Sequence, residues 1–191
     1  MSENIVTDPK TVPHFTLATG EHIPAIGMGT FGSDHFEMKD IAAAVAGAID
    51  CGYRLFDCAS VYGNDDQIGE VFQAAFDKGT VKREDLFIMS KVWNDAHRDV
   101  LGSIKKTLQD LHLDYLDAYF VHWPFPNYHA PFATSDDRNP DSIPFSTTEF
   151  MDTWYQLELA KKEGLIHNLG MSSMTIPKLE AVLPLCTIKP T

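Results

Sequence analysis

Apolar and polar positions along the chain alternate between two patterns: short apolar runs, and stretches in which apolar residues recur three or four apart. The first run, residues 26–31, predicts a strand. Residues 38–50 then bring Ile41, Ala44, Val45, Ala48 and Ile49 onto one helical face and run into Gly52, a helix stop signal. A strand over 53–56 follows, and after it a helix over 66–78 that carries Ile68, Val71, Phe72 and Ala75 and ends at Gly79. The unit repeats as strand 86–90, helix 99–111 and strand 115–121. Residues 123–145 are rich in Pro, Asn, Asp and aromatic residues; that stretch is too long for a plain connector and predicts a functional loop or insertion. Beyond it come helix 148–162, strand 165–171, a short helix over 176–183 and, at 187–189, the opening of a sixth strand.

A strand that always leads into a helix calls for a parallel sheet with helices packed outside it. Two architectures share this pattern, an open doubly wound sheet and a closed (β/α)8 barrel, and they place their chemistry differently. The first gathers a dinucleotide near its first strand; the second collects reactive residues from the C-terminal ends of successive strands. Gly27-Met-Gly29-Thr-Phe-Gly32 is a literal G-x-G-x-x-G and would suit the first. Its context fails, because residues 33–37 still read as loop and no helix starts at the second glycine to offer its N-terminus to a pyrophosphate. A dehydrogenase with Tyr and Lys four apart on one helix is also excluded, since none of the six tyrosines has a lysine at that offset.

The polar residues at the strand ends favour the barrel. Strand two ends in Asp57 with Tyr62 in the loop behind it, strand three in Lys91 and strand four in His122. The spacings of 34 and 31 residues each match one strand-helix repeat, so all four groups face one rim. Alone, an Asp–Lys pair or an apolar-flanked histidine is usually structural. Four proton-handling groups on three consecutive strand ends fit carbonyl reduction, which needs a hydride, a proton for the carbonyl oxygen and stabilisation of the charge developing there. Tyr62 can supply the proton, and an ammonium beside a phenol favours phenolate, so Lys91 would make it a better acid. Asp57 would hold Lys91 charged and in place, while His122 would orient the carbonyl and share in the proton transfer.

These residues resemble the aldo-keto reductase family. Gly52-Tyr-Arg-Leu-Phe-Asp-Cys-Ala59 with Val61-Tyr-Gly-Asn64 and Ile68-Gly69 is similar to its first signature. Lys91-Val-Trp93, Val121-His-Trp-Pro124 and Gly170-Met-Ser-Ser173 resemble three further segments, and the likeness runs from about His14 to the last residue. The resemblance implies a (β/α)8 TIM barrel with Asp57, Tyr62, Lys91 and His122 as the catalytic four. It also implies a nicotinamide cofactor, NADP(H) ahead of NAD(H), with Gly29, Thr30, Phe31 and Asp57 near the nicotinamide and Ser172 and Ser173 at the carboxamide. Phe31, Trp93, His122 and Trp123 would line the pocket of a small carbonyl substrate, sugar-type compounds included. The chain departs from the family pattern at Asp65 and Gln67, where the first signature more often has Glu, and at Ser173, where it has Asn.

Composition narrows the setting. There are 27 acidic against 15 basic residues, a net charge of −12, and no dense Lys/Arg run, which argues against nucleic acid. No apolar run is long enough for a bilayer, Met1 to Lys10 lacks a signal core, and the three cysteines show no C-x-x-C spacing, so a cytoplasmic protein with reduced thiols is expected. Cys58 reads as a small buried hydrophobe rather than a redox thiol. The other histidines show no metal-ligand spacing.

Length is the anomaly. A (β/α)8 barrel takes about 250 residues, whereas this pattern supplies five units and the start of a sixth in a single domain of 191 residues, an apparently truncated barrel. Open sheet edges would invite self-association or a complementing segment. Two readings therefore stand beside the reductase: a cofactor-binding regulatory module, and a barrel fragment without activity of its own. By resemblance, the contacts to the cofactor's adenine and 2′-phosphate would fall outside this sequence.

Overall fold

The computed structural model describes all residues except 1–5, 33–34, 127–139 and 141. Most of the predicted 123–145 loop thus lies outside the described residues. A β-hairpin, β1 (His14–Thr16) and β2 (His22–Pro24), comes first. Five parallel strands follow in sequential spatial order: β3 (Met28–Gly29), β4 (Leu55–Asp57), β5 (Phe87–Val92), β6 (Leu116–Val121) and β7 (Ile166–Met171). The helices are α1 (Met38–Asp50), α2 (Asp65–Asp77), α3 (Val100–Asp110), α4 (Thr147–Lys162) and α5 (Ile176–Val182). Sequential neighbours joined by helical crossovers make an arc of a barrel, with no strand-order reversal of the kind a doubly wound sheet would show.

The two-residue period of the strands divides the side chains into two sets. Phe56, Ile88, Tyr119 and Val121 point outward and merge with Val45 and Ile49 of α1, Phe72 of α2, Ile104 of α3 and Trp154 of α4 in the main core. Leu55, Phe87 and Ala118 point inward and pack with Met89, Phe120 and the hairpin's Leu17 and Ile23. Asp57 and Lys91 continue the inward set of β4 and β5 at its C-terminal end, and His122 is the next inward position beyond β6. A one-residue slip in any strand would send its reactive group into the helix layer.

One close approach holds α2 against α3. A Cβ on Gly69 would stand 2.3 Å from the Asp110 carbonyl oxygen and 2.8 Å from the Leu111 carbonyl carbon. Because those neighbours are backbone, Gly69→Ala is expected to lower stability by about 1–3 kcal/mol, read as a shift in the urea midpoint with an unchanged slope.

Three differences from the sequence expectations have physical causes. The hairpin escapes hydrophobic patterning because β1 is exposed throughout; it is closed by Gly20 at φ 89° and pinned to the sheet by Thr19 Oγ1 donating to Asn168 Oδ1 at 2.7 Å. The first parallel strand is only Met28–Gly29 rather than 26–31. Residues 187–189 do not form a strand. Their amides at Thr187 and Ile188 donate to Glu158 Oε1 (2.8 and 2.9 Å), and the Ile188 carbonyl accepts from Trp154 Nε1 at 3.1 Å, so α4 takes the groups a ladder would need. Only at Thr191 does the backbone reach β7, its N–H donating to the Leu169 carbonyl at 2.9 Å.

Candidate active site

The C-terminal rim is assembled by backbone bonds between neighbouring strand ends. The Cys58 N–H donates to the Met89 carbonyl (2.8 Å), His122 N–H to Val92 (3.2 Å) and Ser172 N–H to Val121 (2.9 Å), so each crossing loop starts in register with its neighbour. Thr30 ties the first loop to the second through its N–H (3.0 Å) and Oγ1 (3.2 Å), both donating to the Asp57 carbonyl. Asn64 Nδ2 returns the link at 2.9 Å to the Thr30 carbonyl, and Gly63, left-handed at φ 67°, ends the single 3-10 turn Ser60–Tyr62 that carries the tyrosine.

On this rim Lys91 is buried and its ammonium has three oxygen neighbours. Nζ donates to Asp57 Oδ1 at 2.5 Å, to the Cys58 carbonyl at 2.9 Å and to Tyr62 OH at 3.2 Å. Lysine's three N–H donors are thereby matched by a carboxylate, a carbonyl and a phenol. The Tyr62 ring lies edge-on to His122 with centroids 6.2 Å apart, and Trp93 lies edge-on to His122 at 4.9 Å. Phe31, 58% exposed, sits 5.1 Å from the Tyr62 ring on its open side. Three of the four expected groups thus meet at Lys91 Nζ and the fourth, His122, lies edge-on beside Tyr62, with Phe31 and Trp93 next to the two rings and Trp123, the residue after His122, half-buried.

The expected cofactor positions are more varied. A Cβ on Gly29 would meet nothing within 4 Å, so the rim there has open space for a flat ring. Thr30 is fully buried with its hydroxyl turned to Asp57, which makes it a residue that shapes the loop. Ser172 and Ser173 follow β7 with hydroxyls 3.5 Å apart, Ser173 in the left-handed region at φ 57°. The sequence assigns no role to Asn64, quoted only as part of a motif, to Ser60, whose Oγ donates to the Lys91 carbonyl at 3.4 Å, or to the Cys58 carbonyl. Asn64, two residues beyond Tyr62 and directly after a glycine, was the available signal. The Cys58 thiol itself is fully buried and pushed far up by that burial and then by Asp65, the behaviour of an inert small side chain.

Behind the rim, His97 is 3% exposed. Burial holds its imidazole down at about 4, against a backbone hydrogen bond with Trp123 that acts in the opposite sense. The unfolded chain takes up this proton near 6.5 and the folded chain only near 4, so stability is expected to fall as pH drops through that window. His97→Gln should flatten the fall, measured as urea midpoints at neutral and mildly acidic pH.

Comparison with known proteins agrees with the geometry. Residues 25–189 match the model of the Aldo/keto reductase family. An aldo/keto reductase of Synechocystis sp. is 43% identical over 182 residues, covering 94% of this chain and 54% of that protein. Among solved structures, the aldose reductase of Schistosoma japonicum superposes with a TM-score of 0.81 at 36% identity, over 94% of this chain and 59% of the other. The Bombyx mori aldo-keto reductase in complex with NADP gives 0.80 at 32%, over 94% and 56%. The chain therefore spans a little over half the length of the proteins it matches, and the five parallel strands with their helices correspond to that part of the barrel. The chain belongs to the aldo/keto reductase family.

Proposed function

We propose that this chain carries the proton-donating side of an NADP(H)-dependent reductase that converts a small aldehyde or ketone to an alcohol, working as one domain. A single contact carries the reading: one buried ammonium, Lys91 Nζ, touches both Asp57 Oδ1 and Tyr62 OH. The carboxylate fixes the ammonium beside the phenol, where its positive charge lies against the oxygen that becomes negative when the proton leaves. His122, on the next inward strand position and edge-on to Tyr62, orients the carbonyl oxygen toward the phenol.

The open rim over Gly29 and the paired hydroxyls of Ser172 and Ser173 suit a nicotinamide ring and its carboxamide. The bound cofactor would supply the hydride. Phe31 and Trp93 would wall off water from the reacting carbonyl, and such aromatic walls accept many small carbonyl compounds, sugar-type ones included. NADP(H) is preferred on the strength of the Bombyx mori structure's bound NADP. Three unpaired thiols are in keeping with a cytoplasmic setting.

The open sheet supports a second reading. With β3 and β7 as edges among the described residues, the chain would associate with itself or with a complementing segment, or act as a cofactor-binding module. Loss of nicotinamide absorbance with small aldehydes, run beside a cofactor fluorescence titration, tests both readings. Turnover supports the reductase; cofactor binding without turnover favours the module.

A further inference from the structure

A groove of about 770 Å³ runs beside the rim, between the start of α2 and α3. That volume suits a small molecule. Ser60, Val61 and Gly63, which flank Tyr62, line one end, together with Trp93, whose ring also meets His122. The charged part of the remaining wall is mostly acidic: Asp65, Asp66, Asp95, Asp99 and Asp110 stand against one cation, Lys106. Lys106 is already paired with Asp110 at 2.7 Å, and Asp99 is committed to capping α3 through the Gly102 N–H at 3.0 Å.

Asp65 is the unusual member. It is only 5% exposed, it lines the groove, and its Oδ1 has no hydrogen-bond partner among the described residues. A buried carboxylate oxygen without a partner is costly unless a donor or counter-charge reaches it. Burial first, then Asp110 and Asp66, push the Asp65 carboxyl up to about 7, while Lys106 and Lys91 pull it down.

We propose that this groove is a binding site for an ammonium cation, which on the reductase reading is the charged end of a carbonyl substrate whose carbonyl reaches Tyr62 and His122 past Trp93. The substrate class deepens that reading and rests on it; the cation site does not. The chemistry is unchanged by the charge. The carbonyl carbon accepts the hydride, its oxygen takes the proton from Tyr62, the C=O π bond is lost, the nicotinamide is left oxidised, and the ammonium group is not consumed. Anionic carbonyl compounds would be repelled by the same wall.

The test is calorimetric titration of the full chain with 1,4-diaminobutane at pH 8 and low salt, followed by turnover of 4-(trimethylammonio)benzaldehyde against 4-carboxybenzaldehyde. The expected result is one diamine per chain, binding weakened at least tenfold by Asp65→Asn and tightened severalfold by Lys106→Met, which frees Asp110. Asp65→Asn should at the same time raise the melting temperature at pH 8, because it removes an unpaired buried charge, so weaker binding could not be put down to unfolding. Asp77→Asn, at the other end of α2, should change nothing. Absent binding, binding indifferent to both groove variants, or equal weakening by Asp77→Asn, the mark of general attraction to an acidic surface, would overturn the site. The cationic aldehyde should be turned over with at least tenfold higher kcat/KM. Equal turnover of the two aldehydes would overturn the substrate class while leaving the reductase reading intact. Diamine binding without turnover of any aldehyde would uphold the cation site and sink the reductase reading.

Discussion

Tyr62→Phe is expected to lower kcat for aldehyde reduction by about 10²- to 10⁴-fold, the usual worth of a positioned general acid, with little change in cofactor affinity. The substitution removes one oxygen, which accepts from Lys91 Nζ at 3.2 Å, and leaves the ring in place between Phe31 and His122. The turn that carries the tyrosine is held by backbone bonds and by Asn64, none of which involves the hydroxyl. A fall in kcat without loss of stability would therefore report proton donation. Single-turnover measurements under saturating cofactor are the suitable readout. If the variant kept more than half of its turnover, the proton would have to come from another group, with His122 the next to test.

Lys91→Met should abolish turnover to a similar degree and, unlike the tyrosine variant, destabilise the chain. Removing one partner of a buried ion pair costs about 3–5 kcal/mol, and the loss here should fall below that because the Asp57 side chain is 34% exposed and partly hydrated. The Lys91→Met/Asp57→Asn double variant separates the two effects. Once the uncompensated carboxylate is gone, stability should return toward that of the parent, while turnover should stay lost because no ammonium remains beside Tyr62. Denaturant midpoints and turnover measured on the parent, Lys91→Met, Asp57→Asn and the double variant complete the cycle. Turnover that recovered along with stability would show the pair to be structural and would remove Lys91 from the proton-donating group.

Much of this protein was legible from its pattern of residues, and the gaps have common causes. The first four helices were found to within a residue because each buries a stripe, as α3 does with Val100, Ile104 and Leu108, and α4 with Phe150, Trp154 and Leu157. Strands with two buried faces were equally plain. The hairpin β1–β2 was not, since β1 is exposed throughout and the hairpin is held by bonds to Asn168, about 150 residues away, that no local pattern encodes. The false strand at 187–189 fails for the same reason: Glu158 and Trp154, on a helix some 30 residues earlier, claim its backbone.

The candidate site divides along the same line. That Asp57, Lys91 and His122 share a rim follows from strand period and repeat length, which are local properties of the chain. Distance belongs to the tertiary structure. Only the folded chain brings Lys91 Nζ onto Asp57 and Tyr62 at once, buries Asp65 without a partner for one of its oxygens, and opens the acidic groove beside Trp93. Periodicity assigns a residue to a face, whereas contacts between crossing loops depend on how neighbouring strands and helices pack, and that is decided by residues far apart in the chain.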